Sequence, residues 1–425
     1  MLNFEEFLQL AKELQSPTSD QSYQSQTILV DFTHHHFDTF QTYFLQVLDD
    51  TEIHLHTKKI VLILFNSLFR NENDEISINP SRVQLIIKSL LSMFQYNDIE
   101  LVRLSANLIA SFFLIQQSDD DDIEKFISVC INSLSSVTTP SEIYGFATII
   151  FELCSRFPLQ LQLQQSLFEI CSNFLNSQID SFIKIKFIQI FETQIQSTLP
   201  IQFLTSILEL CFTLFSDINL HNELFLCYSQ IIFQFPKTTE VIFKNIVPIA
   251  IQSLPNSLER QPILFFFSSS ISQSTIEYYQ EVIPVLLPIL VSISDTEVNH
   301  FTSDTSELIE ELFSVYQNNP IELLQSLNIQ SNYIYLLAFS EIAQTLGKTY
   351  VDFNFLKAMI TSPNPKEKYM AIRCVNVLTQ QEFIEELVIL VVQNFADPNV
   401  TIQCELIDFL STLSLYKNFP IEMYF

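Results

Sequence analysis

Residues 98–110 read Asp-Ile-Glu-Leu-Val-Arg-Leu-Ser-Ala-Asn-Leu-Ile-Ala. A polar turn residue opens this stretch, apolar residues then recur at helical spacing, and a small residue, Ala106, stands in the middle. Asp or Asn at such a turn accepts hydrogen bonds from the free N–H groups of the helix that follows. The small residue leaves room for a second helix to approach closely. The stretch therefore predicts one helix of a closely packed pair.

The same element recurs along the whole chain, for example at residues 362–378 and 397–407. Its turns are separated by 33 to 48 residues, and a two-helix repeat spans about 34–47 residues. We therefore expect an all-α, right-handed α-α superhelix of the HEAT/armadillo type, with about ten helix pairs in a single solenoid over residues 1–425. The turn anchors are Pro17, Asp50, Asp98, Pro140, Ser177, Asp217, Pro255, Asp295, Asn328, Pro363 and Asp397.

Glycine is scarce: the chain has two, Gly145 and Gly347, whereas average usage of about 7% would give roughly thirty. Sheet-rich folds need many positive-φ turns and bulges, which glycine supplies. Phosphate-binding loops and nucleophile elbows also need several glycines at fixed spacing. The composition thus argues against these folds and sites, and we expect neither an enzyme nor a bound cofactor.

The charge of the chain is strongly negative, with 48 acidic against 20 basic residues and a formal net charge of −28. This balance disfavours direct binding of nucleic acid and favours basic partners. Seven scattered cysteines fit a reduced intracellular protein. The apolar runs Ile60–Phe65 and Val282–Val291 are too short to span a membrane. We interpret the histidines at 34–36, 54 and 56 as polar helix ends rather than metal ligands.

Several stretches carry a resemblance to a known family. They are FEEFLQLAKELQSPTSDQSYQSQTIL (4–29), HTKKIVLILFNSLF (56–69), VQLIIKSLLSMFQYNDIELVRLSANLIASFF (83–113), YYQEVIPVLLPILVSISD (278–295), YLLAFSEIAQTLGKTYVD (335–352) and SPNPKEKYMAIRCVNVL (362–378). They resemble the N-terminal half of the importin-β (karyopherin-β) nuclear transport receptors, nearest the large importin branch that carries ribosomal proteins and histones. Residues 1–70 resemble the N-terminal repeats of that family. Asn66 matches a family asparagine, whereas Phe65 replaces the usual lysine.

This resemblance implies a receptor that works in the cytoplasm and nucleus. Members of the family are longer, so the chain resembles a shortened or fragmentary form. The implied partners are basic protein cargo, Ran-GTP and Phe-Gly nucleoporins. By the same resemblance the early repeats face Ran, and the residues singled out there are Lys58, Lys59 and Asn66.

Two acidic groups are candidate cargo sites. Spacings of three and four residues place Asp304, Glu307 and Glu311 on one helix face, with Glu310 at its edge. The other group is a predicted surface loop, formed by the run Asp119, Asp120, Asp121 and Asp122. Both groups also fit an ordinary solvated surface. The alternative function is another HEAT-repeat scaffold or adaptor, of the phosphatase regulatory or coat-adaptor type, without Ran dependence.

Overall fold

The computed structural model describes most of the chain, namely residues 2–14, 20–68, 80–115, 120–157, 159–196, 199–255, 260–273, 276–296, 303–316, 319–345, 351–381 and 384–414. Over these ranges the chain forms 22 α-helices and three short 3₁₀ helices, and it contains no strand. The all-α class is confirmed. Gly347, Pro17 and Asp119 lie outside the described residues.

The helices fall into two compact units, Met1–Cys227 and Tyr228–Phe425. The first unit contains α1 (Phe4–Glu13), α2 (Asp20–His35), α3 (Phe37–Asp49), α4 (Leu55–Leu68), α5 (Pro80–Ser92), α6 (Ile99–Ile115), α7 (Asp120–Leu134), α8 (Pro140–Cys154), α9 (Leu161–Leu175), α10 (Ser181–Gln194) and α11 (Ile201–Leu214). The unit boundary falls within α12 (His221–Gln234).

The second unit contains α13 (Thr239–Ser253), α14 (Gln261–Gln273), α15 (Ile276–Thr296), α16 (Asp304–Val315), α17 (Pro320–Ser326), α18 (Asn332–Thr345), α19 (Phe353–Ile360), α20 (Pro365–Gln381), α21 (Glu385–Val392) and α22 (Val400–Leu413). The 3₁₀ helices are Met93–Gln95, Ile218–Leu220 and Pro236–Thr238. None of the described helices is both long enough and apolar enough to cross a membrane.

Consecutive helices form pairs, and each unit stacks its pairs in two layers. Second helices pack on second helices, as α6, α8 and α10 do in the first unit and α16, α18, α20 and α22 do in the second. First helices pack on first helices, as α7 does on α9 and α19 on α21. This is the HEAT-type arrangement, and the 22 described helices correspond in chain order to eleven helix pairs, where the sequence predicted about ten.

Polar turns end one helix and begin the next, as the sequence predicted. The Asp98 carboxylate accepts a hydrogen bond from the Leu101 N–H at 3.0 Å, and Asn399 caps α22 by accepting from the Thr401 N–H at 2.9 Å. Asn328 follows α17 with a φ of 53°, a left-handed conformation that glycine usually supplies. The anchor at Asp295 is misplaced, because it lies in the last turn of α15 rather than in a loop.

Some of these turn residues also connect one pair to the next. Asp98 contacts the Lys59 ammonium at 2.9 Å, and Asp397 contacts that of Lys368 at 2.8 Å. Partial burial alone would raise the pKa of Asp397, but hydrogen bonds from Lys368 and the Asn399 N–H, with the charge of Lys368, hold that pKa below its ordinary value. Each carboxylate therefore accepts a backbone N–H at the start of one pair, Asp98 from Leu101 and Asp397 from Asn399, and also contacts a lysine of the neighbouring pair.

A glycine allows the closest approach between helix pairs in the first unit. A Cβ atom on Gly145, in the second helix α8, would lie 2.6 Å from the ring of Phe94, which is 2% exposed. Phe94 belongs to the 3₁₀ helix that follows α5, and its ring also packs edge-on against Phe146 at 5.5 Å between centroids. Because the ring is enclosed on both sides, it has little room to move away from a methyl group.

We predict that Gly145→Ala destabilises the protein. In an unconstrained helix this substitution stabilises by about 1 kcal/mol, whereas overpacking a core costs about 1–3 kcal/mol. The free energy of unfolding in urea should therefore fall by up to about 2 kcal/mol. In the Phe94→Leu background, where the aromatic ring is absent, Gly145→Ala should lower the free energy of unfolding by less than it does in the wild type. An increase in stability for Gly145→Ala would contradict the close contact.

Candidate functional site

The acidic stripe predicted at residues 304–311 lies on α16, a second helix. Ser303 caps this helix by accepting a hydrogen bond from the Ser306 N–H at 3.3 Å. Asp304 and Glu307 then lie in the first turn, where their charges complement the helix dipole. Leu308 and Leu312, at 2% and 0% exposure, are buried on the adjacent side of the helix. Helix polarity thus offsets part of the repulsion between these carboxylates.

Asp304, Glu307 and Glu311 line one groove between α14 and α16. The α14 wall includes Ser268, whose hydroxyl donates a hydrogen bond to the Glu311 carboxylate at 2.9 Å. It also includes Phe265, which is 55% exposed, whereas its neighbours Phe266 and Phe267 are buried in the core. The groove therefore combines an apolar wall with three carboxylates. Such a surface fits a basic side chain, whose alkyl stem packs on apolar atoms while its head reaches the acids.

Glu310, at the edge of the stripe, is directed towards α18 and α20 rather than into this groove. The Nη1 and Nη2 atoms of Arg373 on α20 lie 3.1 Å and 3.2 Å from the two oxygens of the Glu310 carboxylate. Burial raises the pKa of Glu310 above its ordinary value, although the charge of Arg373 acts in the opposite direction. The stripe therefore divides, with one carboxylate paired inside the unit and three facing the groove.

Two further carboxylates, Glu341 on α18 and Glu405 on α22, belong to the same layer and were missed by the sequence interpretation. Burial raises the pKa of Glu341, and the charge of Glu310 raises it further. Burial also raises the pKa of Glu405, despite a hydrogen bond from Asn376 and the charge of Arg373. We use the name acidic face for the seven carboxylates on the second helices α16, α18 and α22: Asp304, Glu307, Glu310, Glu311, Glu341, Glu405 and Asp408.

A signal for these residues was present in the sequence. Positions 310, 341, 373 and 405 follow one another at steps of 31, 32 and 32 residues. They occur in four successive second helices, so they occupy similar positions in each repeat. This near-constant step of 31 or 32 residues between charged positions is the signal that could have indicated a common surface.

The residues predicted to face Ran lie on α4, and one of them needs correction. Lys58 is fully buried, and its ammonium donates a hydrogen bond to the Leu48 carbonyl at the end of α3, at 2.6 Å. Its charge is therefore not presented to a partner at the surface. Lys59 contacts Asp98 and Glu100 at 2.9 Å and 2.8 Å, and Asn66 is half-buried.

The acidic run at 119–122 is also different from the prediction. Asp120, Asp121 and Asp122 begin helix α7 instead of forming a loop. Asp121 and Asp122 are exposed, and Asp122 contacts Lys125 at 2.9 Å. This run belongs to the first unit, whereas α16 belongs to the second.

The second helices of the first unit carry a mixed set of charges. Lys186 on α10 lies over the Phe151 ring at 4.6 Å from its centroid. Burial lowers the pKa of Lys186, while the charges of Glu152 and Glu223 act in the opposite direction. Burial, together with the charge of Glu223, raises the pKa of Glu192 to about 7. Within the described residues no group of His, Cys, Asp and Glu side chains is arranged to hold a metal ion.

Comparison with known proteins identifies the fold. No protein-family model and no curated protein matches the sequence. Among solved structures, yeast importin-β (Kap95p) matches with a TM-score of 0.66 and 12% identity, over 97% of this chain and 56% of that chain. An importin-β structure obtained in ammonium sulfate matches with a TM-score of 0.69 and 11% identity, over 96% of this chain and 55% of that chain.

Kap121p bound to RanGTP matches with a TM-score of 0.58 and 13% identity, over 97% of this chain and 44% of that chain. This chain thus spans about half the length of the solved structures it matches. These TM-scores show a shared fold, the helical repeat array of importin-β and Kap121p, and at such low identities the likeness extends to the fold alone.

The raised pKa of Glu192 predicts a pH-dependent stability. An acid whose pKa is higher in the folded protein than in the unfolded chain disfavours folding once it is ionised. The destabilisation caused by ionised Glu192 should thus be absent below about pH 4.5 and reach its full value above about pH 7. We expect Glu192→Gln to raise the free energy of unfolding at pH 8 by about 1–3 kcal/mol, and to change it little at pH 4.

The matched control is Glu169→Gln, which removes an exposed carboxylate from the first helix α9. Chemical unfolding curves at several pH values would measure both variants. If the two variants change the free energy of unfolding equally at every pH, the pKa of Glu192 is not raised by burial and by the charge of Glu223.

Proposed function

We propose that this chain acts as a nuclear transport receptor that binds basic protein cargo on its acidic face. The observation that carries this proposal is the grouping of seven carboxylates in the second-helix layer of one unit, on a fold shared with importin-β and Kap121p. The sequence resemblance favours ribosomal proteins and histones as the cargo class. A receptor of this kind would move between cytoplasm and nucleus and need no cofactor.

Charge complementarity explains how such a surface would select cargo. Four carboxylates of the acidic face are half-buried, namely Glu310, Glu311, Glu341 and Glu405. Charges at such positions are screened by salt less than exposed charges, so they attract a basic segment more strongly at physiological ionic strength. The groove between α14 and α16 adds the exposed Phe265 ring, against which an alkyl stem can pack. Electrostatic attraction of this type accelerates association and discriminates against acidic partners.

We also infer that Ran-GTP binds residues 1–70 and that Phe-Gly nucleoporins bind the first-helix layer. Support for Ran comes from the matching structure of Kap121p bound to RanGTP and from the sequence resemblance of the early repeats. Kap95p in complex with Nup1 also matches, with a TM-score of 0.63. The neighbouring first helices α9 and α11 carry Leu161 and Ile201, whose side chains are 57% and 77% exposed. These two side chains offer apolar contacts to the phenylalanine side chains of a nucleoporin.

The cargo proposal predicts the effect of removing the groove carboxylates. A triple variant with Asp304→Asn, Glu307→Gln and Glu311→Gln should weaken binding of a lysine- and arginine-rich peptide about tenfold or more, at about 0.1 M salt. Fluorescence anisotropy with a labelled peptide and the full chain would measure the affinity.

The control triple variant replaces Glu169, Glu209 and Glu385 by Gln. These exposed carboxylates lie on the first helices α9, α11 and α21, so the change in net charge is the same. We expect the control to lose less than about threefold in affinity. Equal losses in the two variants would mean that total charge, rather than the acidic face, attracts the peptide.

The Ran proposal predicts selectivity for the nucleotide state. Ran locked in its GTP form should be retained by the immobilised chain, and the GDP form should be retained much less. Lys59→Glu should weaken this retention because it reverses a charge in the α4 region, whereas Lys244→Glu on α13 should not. Equal or absent binding of both forms would instead favour a HEAT-repeat scaffold that works without Ran.

A further inference from the structure

The ion pair between Arg373 and Glu310 connects helices that are not neighbours. Glu310 is on α16 and Arg373 on α20, so the contact passes α18, the second helix between them. Ala338 on α18 is fully buried, and its small side chain permits close packing in this layer. The guanidinium therefore lies inside the acidic face and not at its edge.

The geometry of this pair is that of a bound basic ligand. Both terminal nitrogens of Arg373 lie within 3.2 Å of carboxylate oxygens of Glu310. The two side chains are only 32% and 24% exposed, so solvent screens the contact incompletely. A planar guanidinium is well suited to two-oxygen contact with a carboxylate. An arginine from another protein would make the same contact if the position were open.

Arg373 interacts with more than one carboxylate of the acidic face. Its charge acts on Glu310 and on Glu405, and Glu310 interacts with Glu341. The pKa values of all three carboxyl groups are raised, by burial first, so a cation close to Glu310 favours the ionised form of that group. A basic ligand that approached Glu310 would therefore compete with Arg373 for the same carboxylate.

We propose that Arg373 is an internal competitor of cargo, because its guanidinium occupies the place on Glu310 that a basic group of a bound protein takes. This inference rests on the proposed function, since it concerns how the same acidic face is regulated. A ligand binds Glu310 by displacing Arg373. Strongly basic segments therefore bind there, whereas weakly basic segments do not. Displacement also releases the link between α16 and α20.

The test compares binding of one labelled arginine-rich peptide to full-length variants. Arg373→Gln should increase affinity about fivefold over the wild type, because the competing cation is gone. Lys357→Gln is the matched control: it also removes one positive charge and one ion pair, that with Glu386 between the first helices α19 and α21. We expect its affinity to stay within about twofold of the wild type.

Arg373→Lys separates competition from net charge. Lysine keeps the charge but presents one ammonium, which holds the carboxylate less firmly than the guanidinium does. Competition therefore predicts an intermediate gain, whereas a pure charge effect predicts none. This conservative change also serves as the deciding variant if Arg373→Gln unfolds, as judged by circular dichroism.

The outcomes distinguish the inference from the function on which it rests. Peptide binding to the wild type without a gain in the Arg373 variants overturns the internal competitor and leaves the receptor proposal intact. A loss of affinity in Arg373→Gln also overturns it, because Arg373 would then position the carboxylates for the ligand. Absence of binding to every protein overturns both proposals. A gain in both Arg373 variants, absent in Lys357→Gln, supports the competitor.

Discussion

Each helix pair of this protein exposes an apolar surface that only its neighbours can cover. A stacked array satisfies this requirement when its second helices approach closely, and small residues make that possible. Gly145 admits the Phe94 ring, and Ala106, Ala147 and Ala338 are fully buried in second helices. Because stability comes from contacts between neighbours, the remaining surface of each helix is available for other purposes. The two layers and their charged residues follow from this constraint.

The constraint explains where charge can be placed. A second helix must bury the sides that meet its own first helix and the two adjacent second helices, which leaves a narrow outer stripe. Charged residues in that stripe recur with the repeat, as positions 310, 341, 373 and 405 do. Stacking then brings side chains from distant parts of the sequence together, and it also buries them partly. The raised pKa values of Glu310, Glu341 and Glu405 are the electrostatic consequence of that packing.

The repeat architecture could be predicted from the sequence because it depends on local patterns: polar turns, helical apolar spacing and a lack of glycine. The groove carboxylates of α16 could be predicted for the same reason, since spacings of three and four residues define one helix face. The pairing of Glu310 with Arg373 could not, because it joins residues 63 positions apart across an intervening helix. Nor could the burial of Lys58, whose position in α4 faces the carbonyl end of α3. Local sequence patterns predict which face of a helix a residue occupies, but tertiary packing determines which other residues that face contacts.

Partial burial of carboxylates distinguishes a surface that binds a basic partner from a surface that is only acidic. Fully exposed carboxylates are screened by salt and gain little from one more cation. Deeply buried carboxylates would lose their charge and attract none. Glu310, Glu341 and Glu405 lie between these limits, because they are half-buried and burial raises the pKa of each carboxyl group. Arg373 already supplies a cation to Glu310, and the three acids of the α14–α16 groove receive help from a helix dipole and a serine instead. The face therefore contains one position that is already occupied and one that is open, and a basic segment long enough to reach both would bind more tightly than a segment that reaches the open position alone.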